Sequence, residues 1–348
     1  MKKVLINAYT ERNLGDDMFI KHLCHRYPNI CFYVLCKEQY ETALQKISNL
    51  TVVTEIDCIK QIKFNFQIII GGSIFMQPVN KSIWRKYKID KETKIRGIPT
   101  YIIGANFGPF SSKIFYLLYK IWFKKIDGIV FRDEYSYNLF KFDNMCWAPD
   151  ILLDYTLPNV KTQKNVAISC IKQNKRSGLM HYDENIYFTK LAKFIEKYVE
   201  IGYTITLAAF SAKQEDNIAA KEIYNLLSKN AKSKTEIIIY EGDIEAFLEK
   251  FLVASYIIGT RFHSVVLGWN YGIPTFPICY NKKLYHAIVS YKFTGNYINI
   301  DEIDKIDFNY VDFNRISKRI INKNYLKIKS RKHFESIDKV LKGDKNYE

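Results

Sequence analysis

Two consecutive series of short apolar segments, each alternating with helical patterns, constrain the fold of this chain more than any other feature. The segments are rich in β-branched residues and bounded by Gly, Asn or Asp, as buried strands are. In order they are KKVLINA, CFYVLC, FQIIIGG, TYIIGAN and DGIVFRD, then NVAISC, YTITLAAF, EIIIYEGD, SYIIGT and PTFPICY. Because strands that alternate with helices form parallel sheets covered by helices, the sequence predicts an α/β protein of two Rossmann-like, doubly wound domains.

The boundary between the two domains is expected near APDILLDYTLPNVKTQKN, where prolines and polar residues follow the first series. We predict an N-terminal domain over residues 1–157 and a C-terminal domain over 164–305. The remaining residues, 306–348, form a basic segment that we expect to be helical and to pack back on the N-terminal domain.

The chain carries 52 Lys and Arg against 36 Asp and Glu, a formal net charge of +16. A basic excess of this size indicates anionic partners, such as nucleic acid, phosphorylated substrates or an anionic membrane. The sequence contains neither the C2H2 spacing nor the aromatic RNP-like strand of nucleic-acid-binding modules, so no nucleic-acid partner is predicted.

The cysteines and the N-terminus bear on the compartment. Seven scattered cysteines without a C-x-x-C pair indicate reduced thiols and no zinc site. The N-terminal apolar run is too short for a secretion signal, and no segment reaches the length of a membrane span. We therefore expect a cytoplasmic protein without a metal ion.

Candidate ligand-binding residues follow the predicted strands, where open parallel sheets bind their ligands. NLGDD follows the first strand, GGS the third, NFGPF the next and RDEYS the one after. For any one of them a tight turn or a helix cap is the commoner explanation. GGS matches neither the P-loop nor the dinucleotide fingerprint, which disfavours classical ATP or dinucleotide binding. Polar clusters at strand ends in both halves predict a cleft between the domains.

The segment GTRFHSVV places Arg261 and His263 between a predicted strand and a helical pattern. A helix N-terminus attracts anions through its unpaired N–H groups and its dipole, so these cationic groups indicate an anion site. The alternative is a surface arginine beside a packed histidine, since the R-x-H spacing alone is a weak signal.

Taken in order, these motifs resemble the polysaccharide pyruvyl transferase family. The resemblance covers about residues 5 to 285 and ends at Tyr280 and Lys283. It rests on NLGDD, IIIGGSIF, IIGANFGPF, VFRDEYSYNLF, APDILL and, above all, IIGTRFHSVVLGWNYGIPTFPICYNKK.

The resemblance implies a GT-B-like fold with an interdomain cleft, and an activity. Members transfer a pyruvyl group from phosphoenolpyruvate to a sugar, usually as a ketal that bridges two hydroxyls, and release phosphate. The implied acceptor is a lipid-diphosphate-linked capsular or exopolysaccharide repeat, with galactose a plausible sugar. No cofactor is implied, and the lipid-linked acceptor suggests peripheral contact with the cytoplasmic face of the inner membrane.

The resemblance also implies roles for individual residues. Arg261 and Arg132 would fork onto carboxylate or phosphate oxygens, and His263 would protonate the methylene carbon of the donor. These three are the catalytic candidates. The donor-binding candidates are Arg132, Arg261, Phe262, His263, Tyr280 and Lys283. The acceptor-binding candidates are Asn13, Asp16, Asp17, Gly72, Ser73 and Asn106. For Asn13 and the two aspartates, a turn that caps the first helix is an equally good explanation.

Three other functions remain open, of which one, nucleic-acid binding through the basic tail, would be sensitive to salt and would survive loss of Arg261. A nucleotide-sugar glycosyltransferase of the same architecture would hold ribose hydroxyls with an acidic residue, for which Glu241 and Asp243 are available. A non-catalytic sugar- or lipid-binding protein would release no phosphate and would tolerate His263→Ala.

An aromatic and basic stretch, SKIFYLLYKIWFKK, bears on membrane contact. Its aromatic residues would either lie in a membrane interface or pack in the core. They are Phe115, Tyr116, Tyr119, Trp122 and Phe123. The basic tail after residue 313 is a second candidate for binding anionic lipid.

Overall fold

A computed structural model describes residues 1–78, 82–92, 97–173 and 182–343. The chain divides into two compact units, each built around one parallel sheet. The first unit contains Met1–Glu11, Asp16–Asp154 and the described chain from Tyr325 onward. The second contains Arg12–Gly15 and Tyr155–Asn324. The loop of residues 12–15, which the sequence assigned to the N-terminal domain, therefore belongs to the second unit.

Seven parallel strands form the sheet of the first unit. They are β1 (Lys3–Asn7), β2 (Cys31–Leu35), β3 (Leu50–Val53), β4 (Phe66–Ile70), β5 (Thr100–Ala105), β6 (Gly128–Phe131) and β7 (Met145–Trp147). Their order across the sheet is β3-β2-β1-β4-β5-β6-β7, with Leu5 in register with Tyr33 on one side and Gln67 on the other. Every residue of β4, β5 and β6 is buried, which explains their unbroken apolar runs.

Between these strands, the described residues form five α-helices. They are α1 (Leu14–Arg26), α2 (Ile56–Lys60), α3 (Ile83–Glu92), α4 (Lys113–Phe123) and α5 (Glu134–Phe140). Short polar side chains begin two of them: the Ser112 hydroxyl accepts from Phe115 N, and the Asp133 carboxylate accepts from Ser136 N. Such caps satisfy N–H groups that a helix leaves unpaired in its first turn.

The aromatic residues of α4 build the core of the first unit. Phe115, Tyr119, Trp122 and Phe123 are at most 2% exposed, and they pack around Phe107, Phe131 and Phe140. Tyr116 is half-buried and donates a hydrogen bond to Leu139 O at 2.8 Å. Of the two alternatives that the sequence left open, core packing is therefore the one found for these aromatic residues, because the sheet and its flanking helices cover them.

The described residues of the second unit form six parallel strands. They are β8 (Asn165–Ser169), β9 (Thr204–Ala209), β10 (Thr235–Ile239), β11 (Tyr256–Gly259), β12 (Thr275–Cys279) and β13 (Ile298–Asn299). Their order is β10-β9-β8-β11-β12-β13. The helices between and after them are α6 (Glu184–Glu200), α7 (Asp216–Asn225), α8 (Lys229–Ser233), α9 (Ile244–Phe251), α10 (Phe262–Tyr271), α11 (Lys282–Ser290) and α12 (Phe308–Ile316).

The sequence predicted ten of these strands and missed β3, β7 and β13. All three lie at an edge of a sheet and contain only four, three and two residues. An edge strand has a neighbour on one side only, so its apolar run is shorter and harder to distinguish from a loop.

The basic C-terminal segment is divided between the units. It continues through α13 (Lys323–Ser330) and α14 (Glu335–Gly343). Residues up to Asn324 belong to the second unit and not, as predicted, to the N-terminal domain, because Ile306 and Val311 pack in the second core. From Tyr325 the chain lies in the first unit, where buried His333 bonds to Pro149 O at 2.9 Å. Residues 344–348 of the predicted segment lie outside the described residues.

Among the described residues, no helix combines the length and the apolar character needed to cross a bilayer.

Candidate functional site

Three loops at the carboxyl edge of the first sheet bring predicted site residues together. Ser73 follows β4, Asn106 follows β5 and Arg132 follows β6, and these strands are neighbours. The Ser73 hydroxyl donates to Asn106 Oδ1 at 3.1 Å, and Arg132 Nη2 donates to the same oxygen at 2.7 Å. We call Gly72, Ser73, Asn106 and Arg132 the first-unit cluster.

Gly72 leaves room for the guanidinium of this cluster. A β-carbon built on Gly72 would lie 2.6 Å from Arg132 Nη1, closer than β-carbons in folded proteins approach a non-bonded atom. Its carbonyl oxygen also accepts from Asn106 N at 2.9 Å. A side chain at position 72 would therefore displace the Arg132 guanidinium from its place in the cluster.

Arg132 is a buried residue with a buried counterion. It is 2% exposed, and its Nη1 lies 3.2 Å from Oδ2 of Asp150, which is fully buried. Asp150 also accepts from Leu152 N at 3.0 Å. Burial raises the pKa of Asp150, and the positive charge of Arg132 opposes that shift. The predicted second anion clamp is thus bonded to Asp150 and lies among the predicted acceptor residues.

Asp150 itself was not predicted as a site residue. It lies in APDILL, one of the segments that carried the family resemblance, yet no strand-end argument singled it out. A buried carboxylate that faces an arginine becomes recognisable only when both positions are known in space.

The NLGDD segment is divided between the units. Asn13 lies in the second unit and its Oδ1 accepts from Gly15 N at 3.1 Å, so it closes the turn that begins α1. Asp16 and Asp17 lie in the first turn of α1 and belong to the first unit. Asp17 is 1% exposed, whereas Asp16 is half-buried beside Gly71. Of the two aspartates among these expected acceptor ligands, Asp16 has the more accessible carboxylate.

In the second unit, the turn between β11 and α10 is held by backbone hydrogen bonds to the hydroxyl of Ser169, which also contacts Ser264. Ser169 Oγ, at the end of β8, accepts from Thr260 N at 3.0 Å and from Arg261 N at 3.1 Å. The same hydroxyl lies 2.6 Å from Ser264 Oγ. Arg261 occupies the N-cap position of α10 with extended backbone dihedrals and no side-chain cap. The anion-attracting end of α10 therefore has a fixed backbone geometry.

The Arg261 side chain is oriented by Asp216, which sequence analysis did not identify. Asp216 is fully buried and binds the guanidinium side-on through Nε, at 2.8 Å, and Nη2. Gln214 accepts from Nη1. Asp216 also accepts from Phe210 N and Ser211 N, at 3.1 and 3.0 Å. Burial raises the pKa of Asp216, and Arg261 opposes that shift.

This arrangement leaves the outer edge of Arg261 available to a ligand. A guanidinium has five N–H donors, and the bonds to Asp216 and Gln214 use three of them. Among the residues that the structure describes, Asp216 and Gln214 leave one N–H of Nη1 and one of Nη2 unused, and paired Nη donors can bind a carboxylate or phosphate bidentately. The position of Asp216 at the start of α7, just beyond β9, would have been a usable signal, since carboxyl ends of strands carry ligand-binding residues.

His263 lies in the first turn of α10 and packs against two very different neighbours. The ring of buried Phe262 meets the imidazole edge-on, with centroids 5.4 Å apart. On the other side the backbone of Gly15 lies so close that a β-carbon there would overlap the imidazole. Gly15 and His263 both belong to the second unit.

Tyr280 and Lys283 follow β12, next to β11 in the sheet. Lys283 Nζ lies 5.2 Å from the centre of the Tyr280 ring and 5.9 Å from that of Phe262. Although burial opposes the change, the positive charges of Lys283 and Arg261 lower the pKa of Tyr280. The predicted donor residues of this unit thus share a positive electrostatic environment. We call Arg261, Phe262, His263, Tyr280 and Lys283 the second-unit cluster.

Tyr182 is a further polar group near this cluster. It is 8% exposed, and its hydroxyl has no hydrogen-bond partner within the described residues. Burial raises the pKa of Tyr182, and the charge of Arg261 opposes that shift. A buried hydroxyl without a partner is costly, so a ligand oxygen that satisfied it would bind favourably.

Glu241 and Asp243 are the acidic residues that a nucleotide-sugar enzyme would use to hold ribose hydroxyls. Asp243 is the N-cap of α9 and accepts from Ala246 N at 3.0 Å, while Glu241 is exposed. In the part of the chain that the structure describes, no group of three or more His, Cys, Asp and Glu side chains is placed to hold a metal ion.

Comparison with known proteins assigns the sequence to a family. The polysaccharide pyruvyl transferase model matches residues 13–282. The amylovoran biosynthesis protein AmsJ of Erwinia amylovora is 23% identical over 214 residues, which cover 53% of this chain and 50% of that protein. The match therefore spans about half the length of this curated relative.

Solved structures show similarity of fold. The UDP-GlcNAc 2-epimerase of Neisseria meningitidis has a TM-score of 0.62 at 11% identity, covering 97% of this chain and all of that chain. Anabaena Alr3699/HepE, solved with UDP and glucose, has a TM-score of 0.56 at 9% identity and 99% coverage of both chains. The predicted fold class is confirmed: two parallel-sheet α/β units of the GT-B-like kind.

Proposed function

The chain belongs to the polysaccharide pyruvyl transferase family, and we propose that it transfers a pyruvyl group from phosphoenolpyruvate to a pair of sugar hydroxyls. The product is a pyruvate ketal on a polysaccharide precursor, and inorganic phosphate is released. A polysaccharide-modifying role agrees with the family and with the amylovoran biosynthesis relative. The donor and the ketal chemistry are our proposal.

The arrangement around Arg261 is the observation that most supports this donor. Phosphoenolpyruvate carries a carboxylate and a phosphate, so its site needs fixed cations at a short distance from each other. Arg261 presents one N–H on each Nη, Lys283 adds a point charge, and α10 adds the positive end of a helix dipole. The side-on bond from Asp216 fixes the guanidinium before the donor arrives, which reduces the entropy lost on binding.

His263 is the proton donor in the proposed reaction. It protonates the methylene carbon of phosphoenolpyruvate, which leaves C2 electrophilic, and the first sugar hydroxyl forms a bond to C2. As that bond forms, the hydroxyl returns a proton to His263, and the proton of the second hydroxyl leaves on the phosphate. The second hydroxyl then displaces phosphate from C2, and the pyruvyl carbon becomes the ketal centre. Tyr280, with its lowered pKa, is a suitable hydrogen-bond donor to the leaving phosphate.

The first-unit cluster is our candidate for acceptor recognition. Ser73 and Asn106 present hydroxyl and amide groups that suit sugar hydroxyls, and Asp16 adds a half-buried carboxylate. Because Arg132 is buried and bonded to Asp150 and Asn106, we revise its role. It positions Ser73 and Asn106 and does not bind phosphoenolpyruvate directly.

We further propose that the acceptor is a lipid-diphosphate-linked capsular or exopolysaccharide repeat, with galactose as the modified sugar. This assigns the reaction to the cytoplasmic face of the membrane that carries the lipid. No metal or organic cofactor takes part in the proposed chemistry.

The test combines ligand binding with product analysis. Phosphoenolpyruvate should raise the midpoint of thermal unfolding, while UDP- and GDP-sugars should not. Lipid-linked galactosyl acceptors incubated with phosphoenolpyruvate should gain the mass of a pyruvate ketal and release phosphate stoichiometrically. Stabilisation by a nucleotide sugar and none by phosphoenolpyruvate would instead indicate a glycosyltransferase. Binding of sugars without phosphate release would indicate a non-catalytic protein.

A further inference from the structure

The outer face of α4 exposes a row of large apolar side chains. Ile114, Leu117 and Ile121 are 54%, 52% and 58% exposed, on the side opposite the buried aromatic residues of the same helix. Their spacing of three and four residues places them on one face. Exposed apolar groups in a continuous row, unlike single ones, indicate a surface that is covered in use.

Basic side chains border this row. Lys113, Lys120 and Lys124 follow one another at spacings of seven and four residues, which places them along one edge of it. The helix contains no acidic residue. Lysines beside an apolar stripe are typical of helices that lie in the interface of an anionic bilayer.

The neighbouring helix α3 also exposes an apolar side chain with lysines beside it. It packs beside α4 through the Tyr87 and Tyr119 rings, whose centroids are 5.7 Å apart. Trp84, 61% exposed, shares one face of α3 with Lys88 and Lys91 at spacings of four and three residues. Tryptophan with flanking lysines is favoured at the level of lipid headgroups.

We propose that the exposed faces of α3 and α4, within the first unit, dock on the surface of an anionic lipid bilayer. The docking surface consists of Trp84, Ile114, Leu117 and Ile121 with the lysines beside them. It differs from the membrane interface that the sequence offered as one alternative, which consisted of the five aromatic residues of α4, four of them buried. The centre of this surface is apolar, which does not suit the charged backbone of a nucleic acid. The lysines beside it favour anionic lipid over a neutral apolar partner.

The rigidity of the helix supports this assignment. On its inner side α4 is held by Phe115, Tyr119 and Phe123, all fully buried. The stripe is therefore presented without an ordering cost at the moment of docking. This inference does not depend on the proposed transferase activity, because it concerns a different face and a different ligand.

Tryptophan fluorescence tests the proposal on the full chain. Of the four tryptophans, Trp122 and Trp269 are buried and Trp147 is half-buried, whereas Trp84 is exposed. Vesicles of phosphatidylcholine and brominated phosphatidylglycerol should quench the fluorescence of the natural protein at low salt. The quenching should be lost in Trp84→Phe, and it should be absent with vesicles of brominated phosphatidylcholine alone.

Vesicle flotation provides the second measurement. Replacing Ile114, Leu117 and Ile121 together by Ser should lower the partition coefficient at least about 100-fold, since each side chain contributes buried apolar area. The control replaces three exposed apolar residues of the second unit, Ile201, Ile218 and Leu226, by Ser, and should float as the natural protein does. Added salt should weaken the binding.

Three results would overturn the proposal. One is no flotation with phosphatidylglycerol vesicles at low salt. Another is flotation that survives in the α4 variant but is lost when exposed Ile316 and Ile328 of the basic tail are replaced by Ser. The third is concentration-dependent self-association that the α4 substitutions abolish, in the absence of vesicle binding, which would assign the stripe to a protein interface. The shift of the thermal unfolding midpoint by phosphoenolpyruvate, measured in parallel, tests the proposed activity separately. A normal shift together with any of these results would overturn only the membrane proposal.

Discussion

The backbone of Gly15 lies directly against the imidazole of His263, although 247 residues separate them in sequence. No side chain larger than hydrogen fits at position 15, since a β-carbon would overlap the ring. The backbone around Gly15 is held by Leu14 N, which donates to Phe210 O at 3.2 Å. A loop near the N-terminus thus determines where the proposed proton donor lies.

Gly15→Ala should therefore lower turnover by displacing His263. A displacement of about 1 Å can cost about 100-fold in rate, and we expect kcat to fall on that scale while phosphoenolpyruvate affinity changes little. The decisive measurement is the double variant with His263→Gln. If Gly15 acts only through His263, Gly15→Ala should cost nothing further in that background. Independent, multiplying losses would show that Gly15 has another role.

His263→Gln should remove the proposed proton donor. We expect kcat to fall by about 10²–10⁴, the usual range for general acid catalysis, with phosphoenolpyruvate affinity kept within a few fold. The matched control is His25→Gln, at an exposed position of the first unit, which should leave turnover unchanged. Full activity in His263→Gln would show that the proton comes from another group.

Asp216→Asn should weaken donor binding by releasing Arg261. We expect the KM for phosphoenolpyruvate to rise about tenfold because the guanidinium loses its side-on partner. The free energy of unfolding should fall by about 3 kcal/mol, since a buried ion pair loses one member. Arg261→Lys should raise the same KM, while Arg319→Lys, an exposed position of the second unit, should not. An unchanged KM in both site variants would place the donor elsewhere.

Ser73→Ala should affect the acceptor and not the donor. It removes the hydroxyl that bonds to Asn106 Oδ1 at 3.1 Å and contacts Arg132 Nη2 at 3.4 Å. We expect the KM for the sugar acceptor to rise about tenfold, the loss expected of about one hydrogen bond, with the KM for phosphoenolpyruvate unchanged. Exposed Ser111→Ala is the control. A higher KM for phosphoenolpyruvate alone would reverse our assignment of the first-unit cluster.

Acid should destabilise the protein through His333. Burial lowers the pKa of this histidine from 6.5 to about 4, and its neutral ring accepts from Gly104 N at 3.3 Å while bonding to Pro149 O. The unfolded state therefore binds the proton more tightly, so stability is complete above about pH 6.5 and is lost as the pH falls toward 4. Burial likewise lowers the pKa of His22 to about 4.

Unfolding measured between pH 7 and pH 4 tests this. The loss attributable to His333 alone is about 3 kcal/mol at pH 4. His333→Gln should be less stable than the natural protein at pH 7 and should show a flatter pH dependence. Parallel pH curves for the two proteins would contradict the assignment.

Local sequence was sufficient for ten of the described strands and for the positions of the strand-end residues. A buried parallel strand must be apolar on both faces, so its run is visible without knowledge of its neighbours. The polar residues after β4, β5, β6 and β11 follow directly from the ends of those runs. The sequence therefore places Arg261 and His263 correctly at the start of a helix.

Tertiary structure alone decided which residues meet. Asp216 lies 45 residues from Arg261 and Asp150 lies 18 from Arg132, and a single carboxylate carries no local pattern that names its partner. The faces of α4 were also undecided, because a helix that is apolar nearly all round has no polar side to mark the solvent. Packing against Phe107 and Phe140 buried the aromatic face and left the aliphatic one exposed. The periodicity of apolar residues shows which residues of one segment can be buried together. The tertiary fold determines which other segments pack against them.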